Sequence, residues 1–148
     1  MNAEKNAGYR LLEHTADAGL VAWGLDPAEA FSQAVWGMFE VVLGDEPRRA
    51  PQPADLHTLE VQVEGQTWDD MLVNWLAELV YHFDVDGFVP VGISFSDCAP
   101  PRCEAQLTGW QLADPDEAAG VCIKAITYHQ LSVQVTPTRT DLKVIFDI

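Results

Sequence analysis

The sequence predicts an α+β fold, with two amphipathic helices packed on a mainly antiparallel sheet in one domain spanning residues 1–148. Three observations carry that prediction. Two stretches repeat apolar residues at the three- and four-residue spacing of a helix with one buried side. The second half of the chain reads as runs rich in Val, Ile and aromatics, separated by turn-forming segments. The 148 residues are 48% apolar and include five Trp, enough to build a single core and offset the entropy of ordering the chain.

Taken in order, Tyr9 to Glu13 and Gly19 to Trp23 read as short strands, broken by the polar loop His14-Thr15-Ala16-Asp17. Asp26-Pro27-Ala28-Glu29 is a helix start. Asp26 can cap free backbone N–H groups, Pro27 suits the first turn and Glu29 completes the box. Ala30, Phe31, Ala34, Val35, Met38, Phe39 and Val42 then fall on one face, and Gly44 provides a stop. Pro47 to Pro53 has three prolines and no period, so it reads as a loop. Leu59, Val61 and Val63 alternate with Glu60, Gln62 and Glu64, the pattern of a strand with one wet face.

Thr67-Trp68-Asp69-Asp70 is a second capping signature. Trp68, Met71, Leu72, Trp75, Leu76, Leu79, Val80 and Phe83 follow it at helical spacing, to about Asp84. After Asp86-Gly87 come four expected strands: Phe88 to Phe95, Cys103 to Leu107, Val121 to Val135 with a bend near His129, and Leu142 to Phe146. Ala99-Pro100-Pro101 and Ala113-Asp114-Pro115-Asp116 read as turns. Trp36 and Trp75 sit in the helices, where aromatics serve the core more often than they serve as binding platforms.

Twenty-three Asp and Glu stand against eight Lys and Arg, a formal net charge of -15. Such a field repels phosphate backbones, so direct nucleic-acid binding is not expected, whereas cations and basic protein surfaces are favoured. Cys98 and Cys103 are separated by four residues, with Cys122 left over, which indicates neither a disulfide framework nor a zinc knuckle. No signal-like run opens the chain and no stretch nears the ~20 apolar residues of a membrane span, so a cytoplasmic protein is expected.

The familiar catalytic signatures are absent: no GxSxG, no GxxxxGK, no HExxH and no GxGxxG after a strand. What remains are polar residues at element ends. Asp147 is penultimate, so its carboxylate and the α-carboxylate of Ile148 stand one residue apart as two hard anionic groups. Ca²⁺ and Mg²⁺ favour such oxygens, and a third Asp such as Asp17, brought close by the fold, would improve the site. The plain alternative is a solvated terminal aspartate. Lys124 alternates with Ile123 and Ala125 in an expected strand, where it points to solvent or pairs with a carboxylate. His14 and His129 are candidates for proton shuttling or metal ligation, against the ordinary reading of structural histidines.

His14-Thr15-Ala16-Asp17, Ala22-Trp23-Gly24, Ala30-Phe31 and Met38-Phe39 resemble the opening of the archease family. The likeness continues through Leu72, Asn74-Trp75-Leu76 and Glu78-Leu79, then Ile123-Lys124-Ala125-Ile126-Thr127-Tyr128-His129, and ends in Val144-Ile145-Phe146-Asp147-Ile148. Four segments in this order, covering nearly the whole chain, make the resemblance specific. It departs from the family between Trp110 and Gly120, where Ala113 to Ala119 is acidic and lacks the histidine and basic residues of relatives, so no role is carried over to that loop.

The resemblance implies a non-catalytic accessory protein that activates the GTP-dependent, RtcB-type tRNA and RNA-splicing ligase, promoting its guanylylation and multiple turnover. It also implies a divalent metal ion, Ca²⁺ first with Mg²⁺ or Mn²⁺ as alternatives, held by Asp17, Asp147 and Ile148, with His14 and Lys124 supporting the carboxylates. One residue added after Ile148 would then move the α-carboxylate away. Two other classes compete: a chaperone-like holding protein that needs no metal, and a small metal-dependent hydrolase using Asp17 and His14, which lacks a recognisable nucleophile and base pairing.

Overall fold

The computed structural model describes residues 6–13, 17–44 and 56–148. The chain order is β1 (Gly8–Leu11), β2 (Ala18–Gly24), α1 (Pro27–Leu43), β3 (His57–Glu64), α2 (Trp68–Asp86), β4 (Phe88–Ala99), β5 (Arg102–Gln111), α3 (Pro115–Ala118), β6 (Ala125–Val135) and β7 (Thr140–Asp147). The expected loop over Pro47 to Pro53 lies outside the described residues, as does His14.

The expected α+β architecture is present and every strand pair is antiparallel, but the strands divide between two sheets. One has the order β1-β2-β7-β6 and the other β3-β5-β4. Both long helices touch both sheets: α1 lies mainly on β1, β2 and β7 and reaches β4, and α2 spans from β6 to β3, β4 and β5. Period-2 alternation tells which strands have a buried face, but not which strands share a sheet. That partition is set by how α1 and α2 pack between them.

Asp26 caps α1 as expected, its Oδ1 accepting from the Glu29 N–H at 2.8 Å, although Glu29 Oε1 reaches back to the Leu25 N–H (2.7 Å), one residue beyond the cap. All seven residues of the apolar stripe on α1 are buried. Gly37 shares that face, and a Cβ there would come within 2.7 Å of Leu20 and 2.9 Å of Tyr9, so only glycine lets α1 sit this close to β1 and β2. Thr67 Oγ1 accepts from the Asp70 N–H at 3.1 Å and opens α2. Gly87, at φ 70°, closes α2 in the left-handed conformation and returns its N–H to Phe83 O at 2.8 Å.

Met71, Leu72, Trp75, Leu76, Leu79 and Phe83 are buried, with Trp68 and Val80 half-buried at the edges of the stripe. Trp75 is completely buried and satisfies its indole N–H on Phe31 O at 3.1 Å, tying α2 to α1. Truncating a buried aromatic of this kind to Ala costs about 3–5 kcal/mol. Trp36, by contrast, is half-buried at the rim of the core.

Two details differ from the expectations, and a third, the bend near His129, takes a definite form. The segment before Ala125 is not strand: β6 begins at Ala125, and Lys124 stands just outside it. The expected turn at Ala113-Asp114-Pro115-Asp116 is a one-turn helix, capped by Asp114 Oδ1 on the Glu117 N–H at 3.2 Å. Its capping signature repeats that of α1, but no apolar run follows to extend it. The bend near His129 is a bulge: the β6–β7 register shifts between Thr127 and Ser132, with Gln130 at φ 54° and its Oε1 accepting from Lys143 Nζ at 2.7 Å. Finally, Cys98 and Cys103 are free but directly opposed across the β4–β5 hairpin. Contact with Cys103, together with burial, pushes the Cys98 thiol above its usual range.

Candidate functional site

β7 runs between β2 and β6, so the end of β7 is flanked by the start of both neighbours. In the β2–β7 register Ala18 stands opposite Phe146. Asp17 immediately precedes Ala18, in a bend just outside β2, and Asp147 immediately follows Phe146. On the other side Ala125 pairs with Asp147, and the Lys124 N–H donates to Asp147 O at 2.7 Å. Ile148 extends past this point and is 41% exposed. Three segments distant in sequence therefore converge at one end of the four-stranded sheet.

The inward neighbours anchor this end. Leu20, Val144 and Phe146 are fully buried, while Asp17, Lys124, Asp147 and Ile148 are exposed. Two aspartates and an α-carboxylate are hard oxygen donors of the kind Ca²⁺ and Mg²⁺ take, so the residues present fit such an ion in chemistry. Among the described residues no three His, Cys, Asp or Glu side chains converge on one point.

The expected sites distribute unevenly. Lys124 is joined to Asp147 through its backbone, and Asp17 and Ile148 flank the paired ends of β2 and β7. His129 does not join them: it is exposed on the β6 bulge, its backbone N–H donating to Thr127 Oγ1 at 3.3 Å and its ring Nε2 lying 3.4 Å from Gln130 Nε2. Two features escaped the sequence reading. Tyr128 Oη donates to Asp70 Oδ1 at 2.7 Å and joins β6 to the start of α2, and acceptance by that carboxylate raises the phenol above its usual range. A cleft also opens between the C-terminal halves of α1 and α2 and the segment 116–123.

The family model described as the Archease protein family (MTH1598/TM1083) matches residues 9–148. This chain belongs to the archease family. A protein archease of Danio rerio is 30% identical over 143 residues, covering 95% of this chain and 85% of that protein. That of Methanosarcina acetivorans is 31% identical over 144 residues, covering 95% of each. In fold, this archease resembles the solution structure of Methanobacterium thermoautotrophicum protein 1598, with a TM-score of 0.69 at 24% identity over 95% of this chain and 99% of the other. It also resembles the crystal structure of a Thermotoga maritima protein described as an archease and possible chaperone, with a TM-score of 0.56 at 19% identity over 93% and 94%. At those identities the two structures speak to the fold alone. The matched span contains Asp17, Lys124, Asp147 and Ile148, and among the described residues no helix of this archease is long and apolar enough to cross a membrane.

Proposed function

We propose that this archease is a non-catalytic accessory protein of an RtcB-type RNA-splicing ligase, promoting the ligase's guanylylation and repeated turnover. The observation that supports this reading is the β2–β7–β6 register, in which Ala18 pairs with Phe146 and Ala125 with Asp147, so that Asp17, Asp147 and Ile148 belong to the same end of the sheet. In this reading Asp17, Asp147 and the Ile148 α-carboxylate hold a divalent cation, Ca²⁺ or alternatively Mg²⁺ or Mn²⁺, and His14 and Lys124 support them. An ion bound there supplies positive charge that offsets the negative charge of phosphoryl groups at the partner's site. The protein's own part is to hold that charge at the tip of a rigid sheet end, where a partner surface can meet it.

The test is substoichiometric archease with a cognate ligase, labelled GTP and Mn²⁺, followed over several turnovers. Faster guanylylation that disappears with Asp17→Ala and Asp147→Ala supports the reading, and equal acceleration by the variants sinks the tip. A holding function without metal is the second reading, prompted by the description of the Thermotoga relative as a possible chaperone. Among the described residues, Tyr81 and Val85 are exposed one turn apart on α2, while Leu25 and Tyr128 are exposed on other segments, so they do not all belong to one element. Protection of an unrelated aggregating client, measured by light scattering, would bring the holding function forward.

A further inference from the structure

The cleft at the helix ends has a volume of about 210 Å³. Phe39 and Val42 from α1 and Val80 and Phe83 from α2 form its floor. Val121 and Ile123 form the opposite wall, held in place because the N–H groups of Gly120 and Val121 donate to Val42 O at 2.8 and 3.3 Å. The rim carries two carboxylates, Asp84 from α2 and Asp116 from α3. Among the described residues neither has a hydrogen-bond or ion-pair partner.

Everything charged about this cleft has one sign. Phe83 and Asp84 belong to the last turn of α2 and Val42 to the last turn of α1, so two helix C-termini, each with its partial negative charge, line the same concavity. Neither helix places a basic residue in its last turn. An aspartate near a helix C-terminus is the wrong charge for that position, and Asp116 adds a second carboxylate. Partial burial and the Asp116 charge together raise the Asp84 carboxyl above the usual range. Violations of local rules that accumulate at one spot without internal compensation are the mark of a site that something else completes.

We propose that this cleft receives an arginine side chain presented by a protein partner, its aliphatic stem on Phe39, Val80 and Phe83 and its guanidinium between Asp84 and Asp116. The chemistry favours arginine because the stem of a long basic residue covers apolar surface while its head stays polar. A planar guanidinium with five donors can serve two carboxylates at once, which a compact ammonium does less well. An uncharged apolar anchor would leave both carboxylates unanswered, and an anion would be repelled. The acidic stretch Ala113 to Ala119, which departs from the family pattern, thereby acquires a role as the outer rim of this pocket. That the arginine belongs to the RNA ligase rests on the function proposed above; the preference of the cleft for a guanidinium does not.

The test has two arms. In the first, the isotope-labelled protein is titrated with N-acetyl-arginine amide and with N-acetyl-citrulline amide, an isostere without charge, and followed by amide NMR. Shifts confined to Phe83, Asp84 and Gly120 to Ile123, saturating in the millimolar range with arginine and absent with citrulline, are expected, and Asp84→Asn with Asp116→Asn should abolish them. Equal shifts for the two compounds, or none, overturn the proposal. In the second arm, binding to the ligase is measured by calorimetry. The double variant should weaken it by roughly tenfold or more, as loss of a buried arginine anchor does. If the wild-type protein does not bind the ligase while the first arm succeeds, it is the proposed partner that fails and the cleft that stands. Binding by the double variant equal to wild type removes the ligase arginine from the cleft.

Discussion

Two acidic places on this molecule differ in what surrounds the carboxylates. At the sheet end, the proposed ion site consists of Asp17, Asp147 and Ile148, all exposed beside the paired ends of β2, β7 and β6. At the helix end, Asp84 and Asp116 sit above a floor of Phe39, Val80 and Phe83. Hard, wet oxygens suit a small divalent ion, while carboxylates beside apolar walls suit an organic cation with a hydrocarbon stem. On the two proposals made above, a net charge of -15 would cover two different selectivities. The segment Ile123-Lys124 connects them: Ile123 lines the cleft, and the next N–H is bonded to Asp147.

The largest effect expected is at the sheet end. Asp17→Ala with Asp147→Ala should lower Ca²⁺ affinity by roughly 100-fold or more, since ligand loss exceeds the 10–100-fold cost of losing an outer-shell partner. Calorimetry reads this directly, and the arginine amide should still bind the variant with unchanged affinity. Loss of both ligands together would mean that the two places are one site. A smaller loss, roughly tenfold, is expected from appending one glycine after Ile148, which moves the α-carboxylate while leaving both aspartates in place. Ca²⁺ affinity unchanged by the extension would remove the terminus from the donor set.

The two places were not equally legible in the sequence. The sheet end could be read because its residues belong to contiguous segments, HTAD and the final FDI, that carry the family likeness. The helices could be read because a stripe such as Ala30 to Val42 must be buried whatever it packs against. The cleft could not, since its walls come from three elements whose meeting depends on two backbone bonds to Val42 O. One signal was available: Asp114-Pro115-Asp116-Glu117 repeats the capping pattern of Asp26-Pro27-Ala28-Glu29, so a helical turn carrying Asp116 was implied. The pairing of Cys98 with Cys103 across a two-residue turn is likewise a fact of register, as is the division of the strands into two sheets.

The smallest effect separates a carboxylate kept for binding from one kept for stability. Asp84 has a folded-state pKa raised by burial and by Asp116. A carboxyl whose pKa is higher folded than unfolded holds its proton more tightly in the folded state. Between those two values the unfolded chain binds fewer protons, so stability falls as pH rises through that window and stays lower above it. Asp84→Asn removes the ionised group and should therefore raise the melting temperature at neutral pH, by about 1–2 °C for a domain of this size given that the group is largely solvated. Below the ordinary carboxylate range both forms are neutral and the gain should vanish. His82, two residues before Asp84 on α2, faces Glu78 at 3.2 Å and Asp86 at 3.7 Å. A neutral-pH melting temperature that drops on Asp84→Asn would mean that the carboxylate supports the fold, and the contrast between a wet tip and a poised cleft would lose its second half.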